Sequence, residues 1–298
     1  MINTVYRLVA PRRFEIAFED INLFGENAIV RPTYLSICNA DMRYYLGTRD
    51  AKVLAEKLPM ALIHEGVGEV FLDPTGTFKT GDKVVMVPNA PVEKDEFIAE
   101  NYLRSSKFCG SSMDGFLQEF VEISPKRLVK LPDDIDMTVA AFTEIVSVSV
   151  HAISRFDKIA HARRNTISVW GDGNLGYITS LFLKYHFPKS KIVVFGTSSD
   201  KLADFTFADE THLVNEVPDG FTTDHAFECV GGNGSPIAIE QIIGLIKPEG
   251  TISILGVSEY PVPINTRMIL EKGLRVFGSS RSGVKDFAKT VDMYKKHP

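Results

Sequence analysis

Residues 168–178, SVWGDGNLGYI, decide the fold. The run ahead of the glycines, TISVW (166–170), is short and apolar, as a buried strand is. The run behind them, LGYITSLFLKYHF (175–187), reads as a helix. Gly171 allows a tight turn, Gly173 lets the backbone approach a pyrophosphate, and Gly176 permits close helix–strand packing. Free N–H groups and the dipole at the start of that helix favour an anion. The stretch predicts a dinucleotide site built on Gly171, Gly173, Asn174, Leu175 and Gly176. An empty glycine-rich turn is the alternative, and the strand-before, helix-after context counts against it.

Working outward, five more apolar runs follow the same alternation with helical stretches: KIVVF (191–195), THLVN (211–215), HAFEC (225–229), TISIL (251–255) and LRVFG (274–278). Such alternation predicts a parallel sheet covered on both faces, a doubly wound α/β domain over 144–283. Residues 1–143 carry short β-type runs broken by Gly and Pro, such as AIVRPTYLSI and DKVVMVP, and predict a partly open β-rich domain. Its exit, 134–156, reads as helical despite its β-branched residues. Residues 284–298 read as one amphipathic helix, the start of a segment returning to the first domain and apparently cut short at Pro298.

The overall fold class is thus α/β, and 298 residues suffice for two domains. The net charge of −5 and the absence of a Lys/Arg block argue against nucleic acid as a partner. The first residues lack a signal-peptide core and no apolar run is long enough to span a bilayer, so a cytoplasmic protein with no membrane insertion is expected. Three cysteines far apart are no disulfide framework.

The end of the second strand of the α/β domain selects the nicotinamide cofactor. An acid there would hold the ribose hydroxyls of NAD. The chain instead has Gly196, then Thr197, Ser198, Ser199, Asp200 and Lys201, with no carboxylate at the strand end. Hydroxyls and a lysine suit a 2′-phosphate, so Thr197, Ser198, Ser199 and Lys201 point to NADPH. The plainer alternative is a polar turn with Asp200 as a helix cap.

A second group of residues has metal chemistry. Cys38 in SICNAD and His64 in LIHEGVGEV offer a thiolate and an imidazole, both good zinc ligands. Glu65 and Glu144 are oxygen candidates. Neighbours on a strand face opposite ways, so His64 and Glu65 converge only if the chain turns there, and Gly66 and Gly68 would permit the turn. Asp41 is placed to accept from the His64 ring and fix its tautomer. Cys109 and Cys229 read as small buried hydrophobes, and His161, His186, His212 and His225 as hydrogen-bonded filler.

These pieces stand in a recognisable order: SIC-x-x-D (36–41), HEGVGEV (64–70), GDKVV (81–85), DGFLQEFV (114–121), Glu144, then GDGNLG (171–176). In that order the chain resembles the zinc-containing medium-chain alcohol and polyol dehydrogenases along its whole length. The resemblance implies a GroES-like catalytic domain followed by a Rossmann domain. It makes Cys38, His64 and Glu65 ligands of one catalytic zinc, with Glu144 as a fourth in exchange with water. Segments such as MRYYLGTRD, VPNAPVEKD, HAFECVGG and GSSRSG are similar to those of ribulose-5-phosphate reductases of ribitol teichoic acid and capsule synthesis. That similarity implies NADPH-dependent reduction of a sugar phosphate, D-ribulose 5-phosphate, to D-ribitol 5-phosphate. It also implies a homodimer and a complex with the cytidylyltransferase that makes CDP-ribitol.

Three departures stand out. A four-Cys structural zinc lobe would fall near 86–110, where the chain has only Cys109, so one zinc is expected. Ala40 stands where alcohol dehydrogenases place a Ser or Thr proton relay. The chain also ends some tens of residues earlier than is usual in the family. Arg43, Arg49 and Arg281 are candidates for gripping a substrate phosphate, since Arg binds phosphate bidentately. The expected mechanism is hydride delivery from NADPH to a carbonyl polarised by zinc. A zinc polyol or alcohol dehydrogenase acting on an unphosphorylated substrate is the second reading. A non-catalytic NADP(H)-binding protein is the third.

Overall fold

The computed structural model describes residues 1–296, and these residues form sixteen strands and nine α-helices. They divide into two compact units, Met1–Ser147 with the segment from Arg281 onward, and Val148–Ser280.

The first unit begins with β1 (Ile2–Ala10), β2 (Arg13–Asp20) and β3 (Ala28–Ser36), then α1 (Asn39–Leu46) and α2 (Ala51–Lys57). Next come β4 (Met60–Ala61), β5 (Glu65–Leu72), β6 (Lys83–Met86), β7 (Asn89–Ala90) and β8 (Lys107–Phe108). Strands β9 (Val121–Ile123) and β10 (Leu128–Lys130) and helix α3 (Met137–Ala140) complete it, and α4 (Thr143–Ile159) starts in it. Its largest sheet is antiparallel, ordered β10-β6-β5-β3-β9, and a second sheet is ordered β2-β1-β4. Inward-facing Val30, Val70, Val84, Met86 and Phe116 make its core, which suits a period-two strand pattern.

Gly66 and Gly68 lie inside β5 rather than in a turn. A Cβ on Gly66 would stand 2.5 Å from Leu35 Cδ2, and one on Gly68 2.4 Å from the Arg31 carbonyl oxygen. Their lack of a side chain lets β3 approach β5 closely. The turn that the sequence assigned to them falls at Ile63, which has a φ of +73°. A β-branched residue there is strained by about 1–3 kcal/mol and is held by its surroundings. The Ile63 carbonyl accepts from Phe116 N at 2.7 Å, and the adjacent Leu62 carbonyl accepts from Leu117 N at 3.2 Å. Gly115 makes room, since a Cβ on it would stand 2.2 Å from the Ile63 oxygen.

The second unit carries the sheet read from the sequence. Its strands are β11 (Thr166–Trp170), β12 (Lys191–Gly196), β13 (Glu210–Leu213), β14 (Thr223–Glu228), β15 (Ile246–Ile254) and β16 (Arg275–Gly278). They pair in parallel in the order β13-β12-β11-β14-β15-β16, the doubly wound order that reverses between the first and fourth strands of the unit. Helices α5 (Asn174–His186), α6 (Ser199–Ala203), α7 (Ser235–Leu245) and α8 (Thr266–Lys272) connect them. Alternate strand residues serve opposite faces. Ile167, Val169, Ile192 and Val194 pack with Phe156 and Leu183, whereas Trp170, Val193 and Phe195 pack with Ile239 and Ile242. Both faces of the central strands β11, β12 and β14 are buried, so these read as largely apolar runs. The GroES-like plus Rossmann fold class expected from the sequence is present.

Helix α9 (Val284–Lys296) belongs to the first unit. Its Phe287 and Val291 pack with Val67, Val85, Leu131 and Ala141. The last two residues of the expected return segment, 297–298, lie outside the described residues. No helix among the described residues is long and apolar enough to cross a membrane.

Candidate functional site

Cys38 is the N-cap residue of α1, in extended geometry. His64 and Glu65 follow the Ile63 turn, and Glu65 opens β5 opposite Ser36. The ligand atoms of Cys38, His64 and Glu65 lie within 4.8 Å of one another. A tetrahedral zinc with sulfur, nitrogen and oxygen ligands holds such atoms roughly 3.3–3.7 Å apart, so modest side-chain rotation closes the gap.

Asp41 ties the two segments together. One carboxylate oxygen accepts from Cys38 N at 3.0 Å, and the other accepts from Ile63 N at 3.0 Å. That second oxygen is 3.5 Å from His64 Nδ1. With Nδ1–H turned to Asp41, the lone pair of His64 remains on Nε2. Asp41 is 2% exposed, so these bonds form out of water.

The pocket concentrates acid. Burial raises the Cys38 thiol and the Glu65 carboxyl, and His64 only partly offsets it in both. Burial pushes Glu144 up to about 8, against the attraction of His64. Burial also disfavours charge on His64, yet hydrogen bonds to Asp41 and Cys38 and the Glu144 charge outweigh it and raise its pKa well above the usual value. Acids crowded this way are stabilised in their ionised forms by a bound divalent cation. The donor set of sulfur, nitrogen and oxygen suits zinc.

Glu144, at the start of α4, does not join the three-residue set, although its charge is felt by His64. Arg281 does reach this region. Its guanidinium lies 4.4 Å from the centre of the Phe108 ring, and that ring centre is 5.3 Å from the centre of His64. Arg49 lies against Tyr44, with Cζ 5.0 Å from the Tyr44 ring centre and Nη2 3.4 Å from its hydroxyl. Arg43 occupies the last turn of α1. Phe108, Tyr44, Lys57 and Ser111 were not singled out from the sequence, because nothing in their local spacing marks them.

In the second unit, Gly171 has a φ of +130°, where only glycine sits easily. A Cβ on Gly176 would fall 1.9 Å from the Gly171 oxygen, so helix and turn are in direct backbone contact. A Cβ on Gly173 would meet nothing within 4 Å. Gly173 is the N-cap of α5 with no side-chain cap, so the N–H groups of the first turn face an open cleft. That cleft, about 420 Å³, is lined by Asp172, Asn174, Tyr177, Lys201 and Phe205 among others. It fits a dinucleotide phosphate.

As read from the sequence, β12 ends at Gly196 with no acid of its own. The carboxylate that reaches this end comes from the glycine loop. One oxygen of Asp172 accepts from Thr197 N at 2.7 Å, Ser198 N at 2.8 Å and the Thr197 hydroxyl at 3.2 Å. Burial opposes the Asp172 charge, but those amide bonds prevail and lower its pKa. The acid between two glycines was the available signal. Ser198, not Asp200, is the N-cap of α6, accepting from Lys201 N. Ser199 and Lys201 are exposed beside it.

Two family descriptions match the chain: the alcohol dehydrogenase GroES-like domain over residues 25–133, and the zinc-binding dehydrogenase over residues 191–296. The chain belongs to the zinc-binding alcohol dehydrogenase family and is an oxidoreductase. Within that family it is similar to ribulose-5-phosphate reductases. It is 57% identical over 298 residues to ribulose-5-phosphate reductase 1 of Staphylococcus aureus, covering 100% of this chain and 87% of the relative. Identity is 47% over 295 residues to the ribulose-5-phosphate reductase of Streptococcus pneumoniae, covering 98% of this chain and 85% of that one. The crystal structure of S. aureus TarJ in complex with NADPH superposes with a TM-score of 0.88 at 52% identity, covering 100% of this chain and 86% of that one.

Proposed function

We propose that the chain reduces D-ribulose 5-phosphate to D-ribitol 5-phosphate with NADPH and one catalytic zinc. The observation that carries this reading is the convergence of Cys38, His64 and Glu65 in a chain so similar to ribulose-5-phosphate reductases. Residues 1–143 act as the catalytic domain, 144–283 as the NADPH-binding domain, and 284–298 begin the return to the former. When bound, zinc supplies Lewis acidity to a carbonyl oxygen and NADPH supplies hydride.

The remaining work falls to the chain. Cys38, His64 and Glu65 hold the metal, and Asp41 fixes the His64 tautomer and the position of the Cys38 backbone. Glu144 serves as a further oxygen ligand in exchange with water. Gly171, Gly173, Asn174, Leu175 and Gly176 cradle the pyrophosphate. Thr197, Ser198, Ser199 and Lys201 face the adenosine end, with Asp172 bracing the amides of Thr197 and Ser198. Arg281, stacked on Phe108 beside His64, places positive charge near the carbonyl end. The product feeds CDP-ribitol and poly(ribitol phosphate) teichoic acid synthesis in the cytoplasm, by a homodimer working with a ribitol-5-phosphate cytidylyltransferase.

The test follows NADPH oxidation with D-ribulose 5-phosphate, with D-ribulose and NADH run alongside. Turnover that needs both the phosphate and NADPH, and stops with a zinc chelator, is the expected result. Equal turnover of D-ribulose would overturn the substrate assignment in favour of a polyol dehydrogenase. Chelator-insensitive turnover would remove the metal.

A further inference from the structure

Helix α1 ends at Gly47 in the left-handed conformation, and the chain doubles back into α2, which Asp50 caps by accepting from Lys52 N. The turn puts Arg49 in the connection and Lys57 at the end of α2. A third segment reaches the same place. After β8, Ser111 N donates to the Phe108 carbonyl at 3.1 Å, which brings the Ser111 hydroxyl to 3.2 Å from Lys57 Nζ. Arg49 Nη2 meets the Tyr44 hydroxyl at 3.4 Å.

Tyr44, 2% exposed, is the point on which these donors close. Burial alone would raise its pKa, yet hydrogen bonds from Arg49, Ser111 and Lys57, with the Lys57 charge, bring it below the usual value. The phenol oxygen therefore marks a place of positive potential. A cleft of about 380 Å³ is lined by Lys57, Ser111 and Ser112, with Glu56 and Asp114 also on its wall. Asp114, on the same cleft, already accepts from Arg7 and from Ala61 N, so its charge is engaged.

We propose that Lys57, Ser111 and Arg49, gathered around Tyr44, bind the phosphate of a sugar-phosphate substrate. The proposal rests on the sugar-phosphate reading above and assigns the residues that enforce it. Two cations and hydroxyl donors from separate segments match a phosphate monoester, whose oxygens are stronger acceptors than a phenol. The position is consistent with the chemistry. Ser111 is three residues from Phe108, whose ring touches both His64 and Arg281. The Arg281 charge interacts with both Tyr44 and Glu144, and its guanidinium lies over Phe108 beside His64. Arg281 thus serves the carbonyl end and the Lys57 group the phosphate end.

The experiment measures KM for D-ribulose 5-phosphate and for D-ribulose in the wild type, Lys57→Met, Lys57→Arg and Ser111→Ala. Inhibition by inorganic phosphate is measured alongside. Lys57→Met should raise KM for the phosphorylated substrate about ten- to hundredfold, the scale of one charge-assisted hydrogen bond. The preference for D-ribulose 5-phosphate over D-ribulose should fall by a similar factor. Inorganic phosphate should compete in the wild type and weaken as an inhibitor in Lys57→Met, while Lys57→Arg restores much of both. Circular dichroism and NADPH binding report whether each variant is folded. A wild type that requires the phosphate beside a Lys57→Met that keeps its KM, its preference and its phosphate inhibition would overturn this assignment alone. A wild type indifferent to the phosphate would overturn it together with the substrate reading.

Discussion

Replacing Asp41 with Asn tests how two distant segments are locked into one site. The change is nearly isosteric, yet it removes an acceptor. Each Asp41 oxygen now takes one backbone N–H, from Cys38 and from Ile63, both at 3.0 Å. Asn offers one oxygen, and its NH2 group must face the other amide, donor against donor. In a site 2% exposed, leaving that amide unpaired costs about 1–3 kcal/mol. Loss of charge on the surviving bond costs about 1 kcal/mol more, since bonds to ionised acceptors are roughly twice as strong as neutral ones. The sum, about 2–4 kcal/mol, falls on the α1 N-terminus and on the strained Ile63 turn. It also frees His64 to rotate. Zinc affinity should fall about ten- to hundredfold, the usual effect of removing the partner of a histidine ligand. Competition with a chromophoric chelator reads the affinity, and urea denaturation followed by circular dichroism reads the stability. Wild-type zinc affinity in a fully folded Asp41→Asn protein would refute the positioning argument. Wild-type stability would refute the hydrogen-bond accounting.

Other predictions concern separate parts of the chain. Cys38→Ser should lower zinc content and reductase activity together, by metal analysis and NADPH oxidation; full activity without metal would sink the metal assignment. Gly176→Ala puts a Cβ 1.9 Å from the Gly171 oxygen and must push the turn outward, so NADPH affinity should drop about tenfold or more by fluorescence titration. Unaltered affinity would mean the turn does not hold the cofactor. Stability should also fall in acid because of His225. Its Nδ1 accepts from Thr251 N and its Nε2 faces the Arg163 carbonyl, so the ring is held neutral. Burial, then the nearby His161, lowers its pKa from 6.5 to about 4. The unfolded chain binds that proton more readily, so this contribution is complete above pH 6.5 and is lost as the pH falls towards 4. The loss is about 3 kcal/mol at most. Denaturation midpoints of wild type and His225→Asn, compared across that range, should differ in slope; parallel curves would contradict it.

The α/β unit was legible in the sequence because its signals are local. A parallel sheet covered on both faces needs uninterrupted apolar strands, so TISVW, KIVVF and HAFEC announce themselves without knowledge of their neighbours. Gly171 and Gly176 are equally local, since a turn angle and a backbone contact five residues away dictate them. Cys38, His64 and Glu65 could be named as donors from residue chemistry and family order. Their convergence could not be derived. It depends on Asp41 bonding to Ile63, 22 residues on, and on Gly115 leaving room for the Ile63 carbonyl. The same holds for the mistaken role of Gly66 and Gly68, whose reason for being glycine is a neighbouring strand and not their own turn. Asp172 at the end of β12, Arg281 on Phe108, and Lys57 with Ser111 are likewise meetings of residues 25 to 173 positions apart. Sequence alone determines periodicity, turn chemistry and the stock of donors, which are properties of a residue and its near neighbours. Only the tertiary structure decides which donors share a pocket, because burial and hydrogen-bond geometry there are set by segments remote in the chain.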